Sequence, residues 1–458
     1  LYLANNFSVL GDLTISAGTF DLETYNVNVL GATINDGVLK IGTGTLDTEG
    51  SFDATNGTIT FYGAGRLRMA ANPISLGSMT TTIGTVEYDG GNQNVLADTY
   101  FNVEIDGSGT KTLPPNSFTI KGDLTLSAGT LSYNTATNNK TMSIKGNVLG
   151  TGNITATNPN ILRFNGDGTI QELKGVSSDF IGVRVAGSAN VITTGNVSCK
   201  YLDLMPGSTG SFTIDGETVT LNPTNGYLQL DGADLVVSAG SLINNSINQT
   251  NNYINSGTLT ISGGAVQMTG NSGASGSGGD LNVNGGSILV SSGTLSVNDE
   301  LDVATGTIIQ TGGEIYIKAN PSVNWNGTLD NKFDMEAGTL SLSGGILYLQ
   351  AQATSLYNCI DIAAAVNTII GTDYTIAVSQ NNASLADDSY LKLNGHAIGN
   401  LTIDLNGKTA FLREPLIVEG NLTITNGTLD LENNSTVING NAIISGILKL
   451  GLDNYDFN

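Results

Sequence analysis

The sequence lacks most of the residue types on which catalytic and metal sites depend. It contains one histidine, His396, and only 17 lysine and arginine residues among 458. With a single histidine, HExxH zinc sites and histidine-rich metal clusters are excluded, and a Ser-His-Asp triad could be built only on His396. We therefore interpret His396, in LNGHAIG, as a turn residue and Asp387-Asp388 as a solvated acidic corner. The sequence predicts that the protein is not an enzyme.

Strong helix formers are also scarce, and no long stretch has the 3.6-residue period of an amphipathic helix. There are 60 glycines but only 8 prolines, without the Gly-X-Y period of collagen. Hydrophobic residues make up 39% of the chain and alternate with polar ones, which excludes a disordered tract. The fold is predicted to be almost entirely β.

The sequence has no run of 18 apolar residues and no basic-then-apolar leader, so neither a transmembrane helix nor a signal peptide is predicted within it. It begins inside the repeat pattern, at LYLANNFSVLGDL, as expected of a mature protein or a piece of a longer chain. The net charge of −23 disfavours nucleic acid and anionic membranes as partners. We interpret the excess of acidic residues as a means of keeping the protein soluble. The alternatives are that these residues bind cations, or that the protein works at high salt or at a surface.

One short motif recurs along the chain. An alternating apolar run, a small-residue corner with glycine and a second alternating run together indicate strand, turn and strand. The copies are GDLTISAGTFDL from Gly11, GDLTLSAGTLSY from Gly122, GTLTISGGAVQM from Gly257, GDLNVNGGSILV from Gly279, GTLSLSGGILYL from Gly338 and GNLTITNGTLDL from Gly420.

The spacing of the copies predicts how they stack. The first apolar residues of successive units, Leu235, Leu259, Leu281, Leu301 and Leu340, are separated by 24, 22, 20 and 39 residues. A period of roughly 20 to 24 residues is typical of solenoids. We predict a right-handed parallel β-helix, one continuous β-solenoid over residues 1–458, with roughly 20 coils.

Two segments interrupt the pattern. Residues 270–279, GNSGASGSGG, predict a loop leaving one coil, with a domain break as the alternative. Residues 350–388 contain fewer glycines and more alanine, and we expect an irregular insertion or a protruding segment there. Cys199 and Cys359 are about seven coils apart, too far for a disulfide within one chain. Both are expected to be buried, with a bridge between subunits as the alternative.

Neither end of the chain reads as a capping helix. An open final coil presents unpaired backbone groups that can pair with another strand. The sequence therefore predicts either continuation into a longer chain or self-association of the ends into a filament.

Calcium is the metal that the sequence leaves open. Asp-Gly pairs place carboxylates at turns, where backbone oxygens could complete a calcium shell, although Asp-Gly is also favoured at turns for steric reasons. These pairs are Asp36-Gly37, Asp89-Gly90, Asp106-Gly107, Asp167-Gly168 and Asp231-Gly232. We expect no cofactor, with structural calcium as the alternative.

Longer repeats carry a resemblance. GTVEYDGG followed by TYFNVEIDGSGTKTL and FTIKGDLTLSAGTL, together with GNLTITNGTLDLENNSTVING, resembles the adhesin-like parallel β-helix passenger regions of secreted bacterial and archaeal surface proteins. The resemblance implies secretion, display at the cell surface and a role in adhesion, matrix or filament formation. It carries no catalytic motif, so it assigns no functional residue.

We thus expect an extracellular structural protein, an adhesin stalk or a filament subunit polymerising head-to-tail. The alternative is a polysaccharide-acting or glycan-binding β-helix protein. In an exported protein of a glycosylating organism, Asn-X-Ser/Thr sequons would be candidate glycosylation sites. They include Asn56, Asn153, Asn244, Asn326, Asn400 and Asn421.

Overall fold

The computed structural model describes residues 1, 3–133, 139–222, 224–246, 252–270, 279–298, 300–318, 333–350, 358–379 and 388–451. All regular structure in these ranges is β-strand, and they contain no helix. Accordingly, no helix in them is long and apolar enough to cross a membrane. The strands are parallel and stack as a β-solenoid of about 19 turns, which confirms the predicted fold class.

The solenoid consists of two compact units. Unit 1 comprises Leu1–Lys200 with Ser208–Gly210, and unit 2 comprises Tyr201–Gly207 with Ser211–Asn458.

The strands of unit 1 are two to five residues long. They are β1 (Phe7–Val9), β2 (Leu13–Ile15), β3 (Thr19–Asp21), β4 (Val27–Val29), β5 (Thr33–Asn35), β6 (Val38–Ile41), β7 (Thr45–Thr48), β8 (Phe52–Asp53), β9 (Thr58–Phe61), β10 (Arg66–Met69), β11 (Ser78–Met79), β12 (Thr85–Tyr88), β13 (Gln93–Asn94), β14 (Thr99–Tyr100), β15 (Asn102–Ile105), β16 (Thr110–Thr112), β17 (Phe118–Ile120), β18 (Leu124–Leu126), β19 (Thr130–Tyr133), β20 (Thr141–Ile144), β21 (Val148–Gly150), β22 (Asn153–Ala156), β23 (Asn160–Phe164), β24 (Ile170–Leu173), β25 (Val176–Ser177), β26 (Ile181–Val185), β27 (Asn190–Thr193) and β28 (Val197–Cys199).

Unit 2 includes several longer strands, and the pairing between some of them contains register shifts. Its strands are β29 (Tyr201–Leu204), β30 (Ser211–Ile214), β31 (Thr218–Leu221), β32 (Leu228–Asp231), β33 (Asp234–Val237), β34 (Ser241–Asn244), β35 (Asn252–Ser256), β36 (Thr258–Met268), β37 (Leu281–Val283), β38 (Ser287–Val297), β39 (Leu301–Val303), β40 (Thr307–Lys318), β41 (Phe333–Met335), β42 (Thr339–Gln350), β43 (Asn358–Ile362), β44 (Asn367–Ile370), β45 (Tyr374–Ser379), β46 (Ser389–Lys392), β47 (Ala397–Ile398), β48 (Asn400–Leu412), β49 (Leu416–Val418), β50 (Leu422–Asp430), β51 (Thr436–Ile438), β52 (Ala442–Ile444) and β53 (Ile447–Lys449).

Each strand pairs with the equivalent strand one coil away. At the start of unit 1, β1 pairs with β4, β2 with β5 and β3 with β6. Inward residues form columns such as Val27, Leu46 and Leu67, all buried. Burying one such side chain is worth about 1.5 to 3 kcal/mol. Since a coil contacts only its neighbours, the loss of one side chain is expected to destabilise only its own coil and the adjacent ones.

The leucines from which the period was predicted do not all lie in one column. Leu235 does pair with Leu259, but Leu259 pairs with Ile288. Leu281 and Leu301 pair with each other on a different side of the coil. The step from Leu259 to Ile288 is long because residues 271–278 lie within that coil. Sequence spacing alone could not separate these two columns, because every strand carries the same alternation.

The two predicted interruptions fall partly outside the described residues. Within 270–279, residues 271–278 are not described, although β36 and β38, on either side of them, pair with each other. Within 350–388, residues 351–357 and 380–387 are not described. Residues 358–379 form β43, β44 and β45, which pair with neighbouring coils, so this part continues the regular stacking.

Candidate functional sites: a charged face and two open coil edges

Charged side chains form a column on the outer face of unit 1. The parallel register of β7, β10, β12 and β15 places Asp47, Arg68, Glu87 and Glu104 opposite one another, one in each successive coil. Adjacent strands are about 4.8 Å apart, so each side chain contacts those of the next coils. We call this column, with Arg66, Asp89 and Asp106 beside it, the charged face.

Two arginines hold the charged face together. Arg66 Nη1 contacts the carboxylates of both Glu87 and Glu104. Arg68 Nε contacts Glu87 Oε1 at 3.0 Å and Asp89 Oδ2 at 2.9 Å. Glu87 is thus shared by two guanidinium groups, and only 4% of its side chain is exposed.

Burial has a larger effect on the pKa values of these carboxylates than the neighbouring arginines have. Desolvation raises the pKa of Glu87 above its ordinary value, although Arg66 and Arg68 oppose the shift. It also raises the pKa of Asp47 and of Asp89, which Arg68 opposes in both cases. The ion pairs therefore compensate only part of the free energy that burial of these charges costs.

Close-packed corners bring the acidic residues together. Asp89-Gly90 and Asp106-Gly107 are stacked Asp-Gly turns that follow β12 and β15. A Cβ atom on Gly90 would lie 1.8 Å from the carbonyl oxygen of Ala70, and Gly107 has a φ of 68°, so neither position accepts a larger residue without strain.

The charged face contains the group of carboxylates that best matches a cation site among the described residues. Oxygens of Glu87, Glu104 and Asp106 all lie within 4.8 Å of one another. Oxygen ligands of this kind suit calcium. However, Glu87 and Glu104 are already paired with Arg66, so an ion-pair network accounts for the cluster. Structural calcium stays a prediction.

The other three predicted Asp-Gly carboxylates lie elsewhere and meet uncharged partners. Asp36 accepts a hydrogen bond from Asn56, Asp167 from the Thr169 hydroxyl, and Asp231 from Asn255. These contacts are those expected of solvated turn residues.

Sequence reasoning missed a set of buried polar side chains that form hydrogen bonds to backbone groups at the corners of the coils. We call these side chains clamps. Gln93 Nε2 donates to the carbonyls of Met69 (2.8 Å) and Ala71 (3.0 Å) one coil back, and its Oε1 accepts from Gly90 N. Further along unit 1, Gln171 Nε2 donates to the carbonyls of Ile144 and Gly146. Each clamp satisfies backbone groups at a corner where the ladder is interrupted.

Two further side chains act in the same way. Lys111, fully buried, lies opposite Gln93, and its Nζ donates to the carbonyls of Gly90 (2.6 Å) and Ser108 (3.1 Å). Burial lowers the pKa of this lysine. In unit 2, Asn394 Nδ2 donates to Ile362 O at 2.7 Å.

His396 is also a clamp. Its Nε2 lies 3.0 Å from Ala363 O and its Nδ1 lies 3.2 Å from Thr368 Oγ1. The carbonyl can only accept, so Nε2 carries the proton and Nδ1 accepts from the threonine hydroxyl. Both ring nitrogens are thus used to fix a turn, in agreement with its interpretation as a turn residue.

Replacement of Gln93 by leucine is expected to destabilise the corner at Gly90. The Ala71 carbonyl and the Gly90 N–H lose their Gln93 partner, and the Met69 carbonyl keeps only its hydrogen bond from Asp89 N at 3.2 Å. The expected loss is roughly 2 to 4 kcal/mol of local opening free energy. Amides of residues 85–95 should then exchange hydrogen about 30-fold to 1,000-fold faster. Asn94→Leu, at the exposed neighbouring position, is the control and should leave exchange unchanged. Equal effects of the two substitutions would contradict a clamp.

The predicted sequons occupy different environments. Asn56, Asn153 and Asn421 are exposed. Asn400 is half-buried, and its Nδ2 donates to the carbonyls of Thr372 and Tyr374. Asn244 is fully buried, with Nδ2 bonded to Asn252 Oδ1 at 2.7 Å, so a glycan on Asn244 is incompatible with this packing. Asn326 lies outside the described residues.

Cys199 and Cys359 are both buried, as predicted. Burial raises the pKa of Cys359 to about 12, and its Sγ lies 3.4 Å from the carbonyl oxygen of Tyr390. A thiol in this environment is a core residue and a poor nucleophile.

The last coil of unit 2 has an open edge. Among the described residues, β51, β52 and β53 pair with β49 and β50 on one side and with no strand on the other. The inward residue Ile444 is consequently 45% exposed, whereas Ile424, which it pairs with, is fully buried. The outward residues Val437, Ile443 and Ile447 are each more than half exposed. An apolar coil edge of this kind is suited to strand addition.

The first coil of unit 1 has a partly open edge. In the described part of the chain, β1 pairs only with β4 and β2 only with β5. The edge of β3 is occupied, because Leu1 N donates to Thr19 O and Leu1 O accepts from Asp21 N. Among the described strands, β1 and β2 therefore each have one edge without a partner strand.

No family model, curated protein or solved structure matches this chain.

Proposed function

We propose that this protein is a non-enzymatic extracellular structural protein, an adhesin stalk or a filament subunit that polymerises head-to-tail through its open coil edges. The observation that carries the proposal is the edge of the last coil, where Ile444 is 45% exposed at a position that is buried in the preceding coil. Addition of a strand there would bury it and satisfy the unpaired backbone groups together.

The remaining surface supports a structural role. The acidic chain has one histidine, which is engaged in a turn, and its buried polar side chains bind backbone groups of adjacent coils. Within each unit the polar chemistry thus serves the stacking of coils. Secretion and surface display follow only from the resemblance of the repeats.

The alternative is a polysaccharide-acting or carbohydrate-binding protein. A glycosidase needs two carboxylates that flank the scissile bond. One surface depression of unit 1, about 380 Å³ in volume, has a polar lining, but Asp47 is the only acidic residue among the described residues that line it. This depression lacks the pair of carboxylates, so we favour the structural role.

Electron microscopy of the 458-residue chain over a range of concentrations tests polymerisation. Wild-type protein should form filaments whose length increases with concentration. Ile444→Asp places a charge where the next copy would pack and should abolish them. Ile443→Asp, on the outward side of the same strand, is the control and should retain them. Single particles at every concentration, or filaments unaffected by Ile444→Asp, would refute polymerisation.

A further inference from the structure

The two open edges belong to coils of similar sequence. Residues 11–41 of unit 1 and residues 420–450 of unit 2 align without a gap and are identical at 14 of 31 positions. The aligned segments contain equivalent strands, with β4, β5 and β6 matching β51, β52 and β53.

The two segments also share local geometry. Glu23 and Glu432 occupy equivalent corners, and both have a positive φ, 52° and 45°. The main-chain N–H of each glutamate donates, at 3.0 Å, to Oδ1 of the aspartate two residues before it, Asp21 or Asp430. The coil turns at the same point and in the same way in both segments.

A ladder of side chains runs along another corner. Asn400 Oδ1 accepts from Asn421 N, and Asn421 Oδ1 accepts from Asn441 N, both at 2.8 Å. At the equivalent corner of the first coil, Asp12 Oδ1 accepts from Ala32 N at 2.7 Å. Asn441 is the last rung described in unit 2. By the alignment of the two segments, the donor that would match its Oδ1 in an added coil is the main-chain N–H at the position of Asp12.

Charge is complementary at the third strand. Lys449 pairs with Asp430 at 2.7 Å, and Lys40 lies opposite Asp21 in the β3–β6 register. If β3 were added to β53, the column would read Asp430, Lys449, Asp21 and Lys40. Opposite charges directly across a ladder are stabilising.

We propose that the open edge of the last coil binds the first coil of a second copy of this chain, with β51 on β1, β52 on β2 and β53 on β3. The register is Val437 opposite Ser8, Ile443 opposite Thr14 and Lys449 opposite Asp21. In this register, every residue that points into the coil lies opposite another residue that points into the coil. This inference rests on the proposed function and adds to it the partner surface and its register.

The third pairing requires an exchange of strands. Leu1 occupies the edge of β3 through two backbone hydrogen bonds, and its side chain is 76% exposed. By contrast, β53 is fixed to β50 at three register positions and by the Lys449–Asp430 ion pair. Addition of β53 to the edge of β3 would therefore displace Leu1 of the incoming copy, while β53 keeps its pairing with β50.

Disulfide trapping tests the register. Full-length chains carrying Ser8→Cys are mixed with chains carrying Val437→Cys and oxidised. Neighbouring strands place these Cα atoms about 5 Å apart, within the range for a disulfide. Cross-linked pairs are expected. Ser8→Cys with Ile443→Cys, on different sides of the coil, is the control and should not cross-link. The buried Cys199 and Cys359 remain in all chains, and wild-type protein should give no cross-link.

A chain lacking residues 1–3 tests the exchange. Loss of two competing backbone hydrogen bonds should lower the critical concentration for assembly roughly tenfold. An unchanged or higher value would overturn the exchange. If wild-type chains do not associate, the proposed function and this inference both fail. If they form filaments but Ser8 and Val437 do not cross-link, only the register fails.

Discussion

Replacement of Arg66 by methionine is expected to lower the local opening free energy of β12 and β15 by roughly 2 to 3 kcal/mol. Arg66 Nη1 contacts both Glu87 and Glu104, the second at 2.5 Å. Glu87 is almost completely buried, so water cannot replace the lost guanidinium. Arg68 still contacts Glu87, and Arg66 is itself about one-third exposed, which keeps the expected loss at the lower end for a broken ion pair.

Hydrogen exchange measures this loss directly. Amides of residues 85–88 and 102–105 should exchange about 30-fold to 150-fold faster in Arg66→Met. Arg163→Met is the matched control, because Arg163 lies opposite Arg184 in the β23–β26 register and has a like charge as its neighbour. A similar acceleration in both variants would show that the aliphatic part of the side chain, and not its charge, stabilises the face.

Removal of the acidic partner should have a smaller effect. Burial raises the pKa of Glu87, so the folded state binds its proton more tightly than the unfolded state does. The contribution of Glu87 to stability is thus most favourable in acid and decreases as the pH rises through its folded pKa. Glu87→Gln removes a charge that costs free energy to bury, and it leaves arginines that are about one-third exposed. We expect a change below about 1 kcal/mol.

The charged face shows which features of this region the sequence could predict and which it could not. Alternation in VEYDG and VEIDG correctly places Val86 and Val103 inward and predicts the parallel ladder. It gives no partner for Glu87, because Arg66 lies 21 residues earlier and coil lengths vary from one turn to the next. Only the register of the folded chain brings these charges together.

The clamps show a second limit of the alternation rule. Gln93 and Lys111 occupy inward positions two residues before Val95 and Leu113, where an aliphatic residue is expected. Polar residues at such positions could have been recognised as a signal, since a buried amide or ammonium needs fixed partners. Their partners are backbone carbonyls, which no side-chain motif encodes.

Alkaline pH is expected to unfold unit 1 cooperatively, because several of its tyrosines are buried in the neutral form. Burial raises the pKa of Tyr88 to about 12. It also raises the pKa of Tyr100 and of Tyr133. The Tyr88 and Tyr100 hydroxyls lie 3.0 Å apart, and Tyr100 Oη donates to Leu96 O at 2.7 Å. These hydrogen bonds satisfy the neutral hydroxyls but leave no room for a hydrated phenolate.

Stability decreases at alkaline pH because the folded state holds the tyrosine protons more tightly than the unfolded state does. Below pH 10 both the folded and the unfolded state keep these protons, so stability is unchanged. Between about pH 10 and 12 the unfolded chain loses them while the folded chain retains them, and stability falls. For Tyr88 alone, a shift of about two pH units corresponds to a loss of roughly 3 kcal/mol. Each buried tyrosine steepens the slope by about 1.4 kcal/mol per pH unit in this range.

Parallel titrations of tyrosinate absorbance and of the β-sheet circular dichroism signal test this expectation. The buried tyrosines should ionise late and together with loss of the β signal. Tyr133→Phe removes one buried hydroxyl, which donates to Ile161 O at 3.1 Å, and should make the pH dependence shallower. Ionisation of all tyrosines near pH 10 with an intact β signal would mean that these rings are hydrated in the folded coils and that their packing is looser than the contacts of Tyr88, Tyr100 and Tyr133 imply.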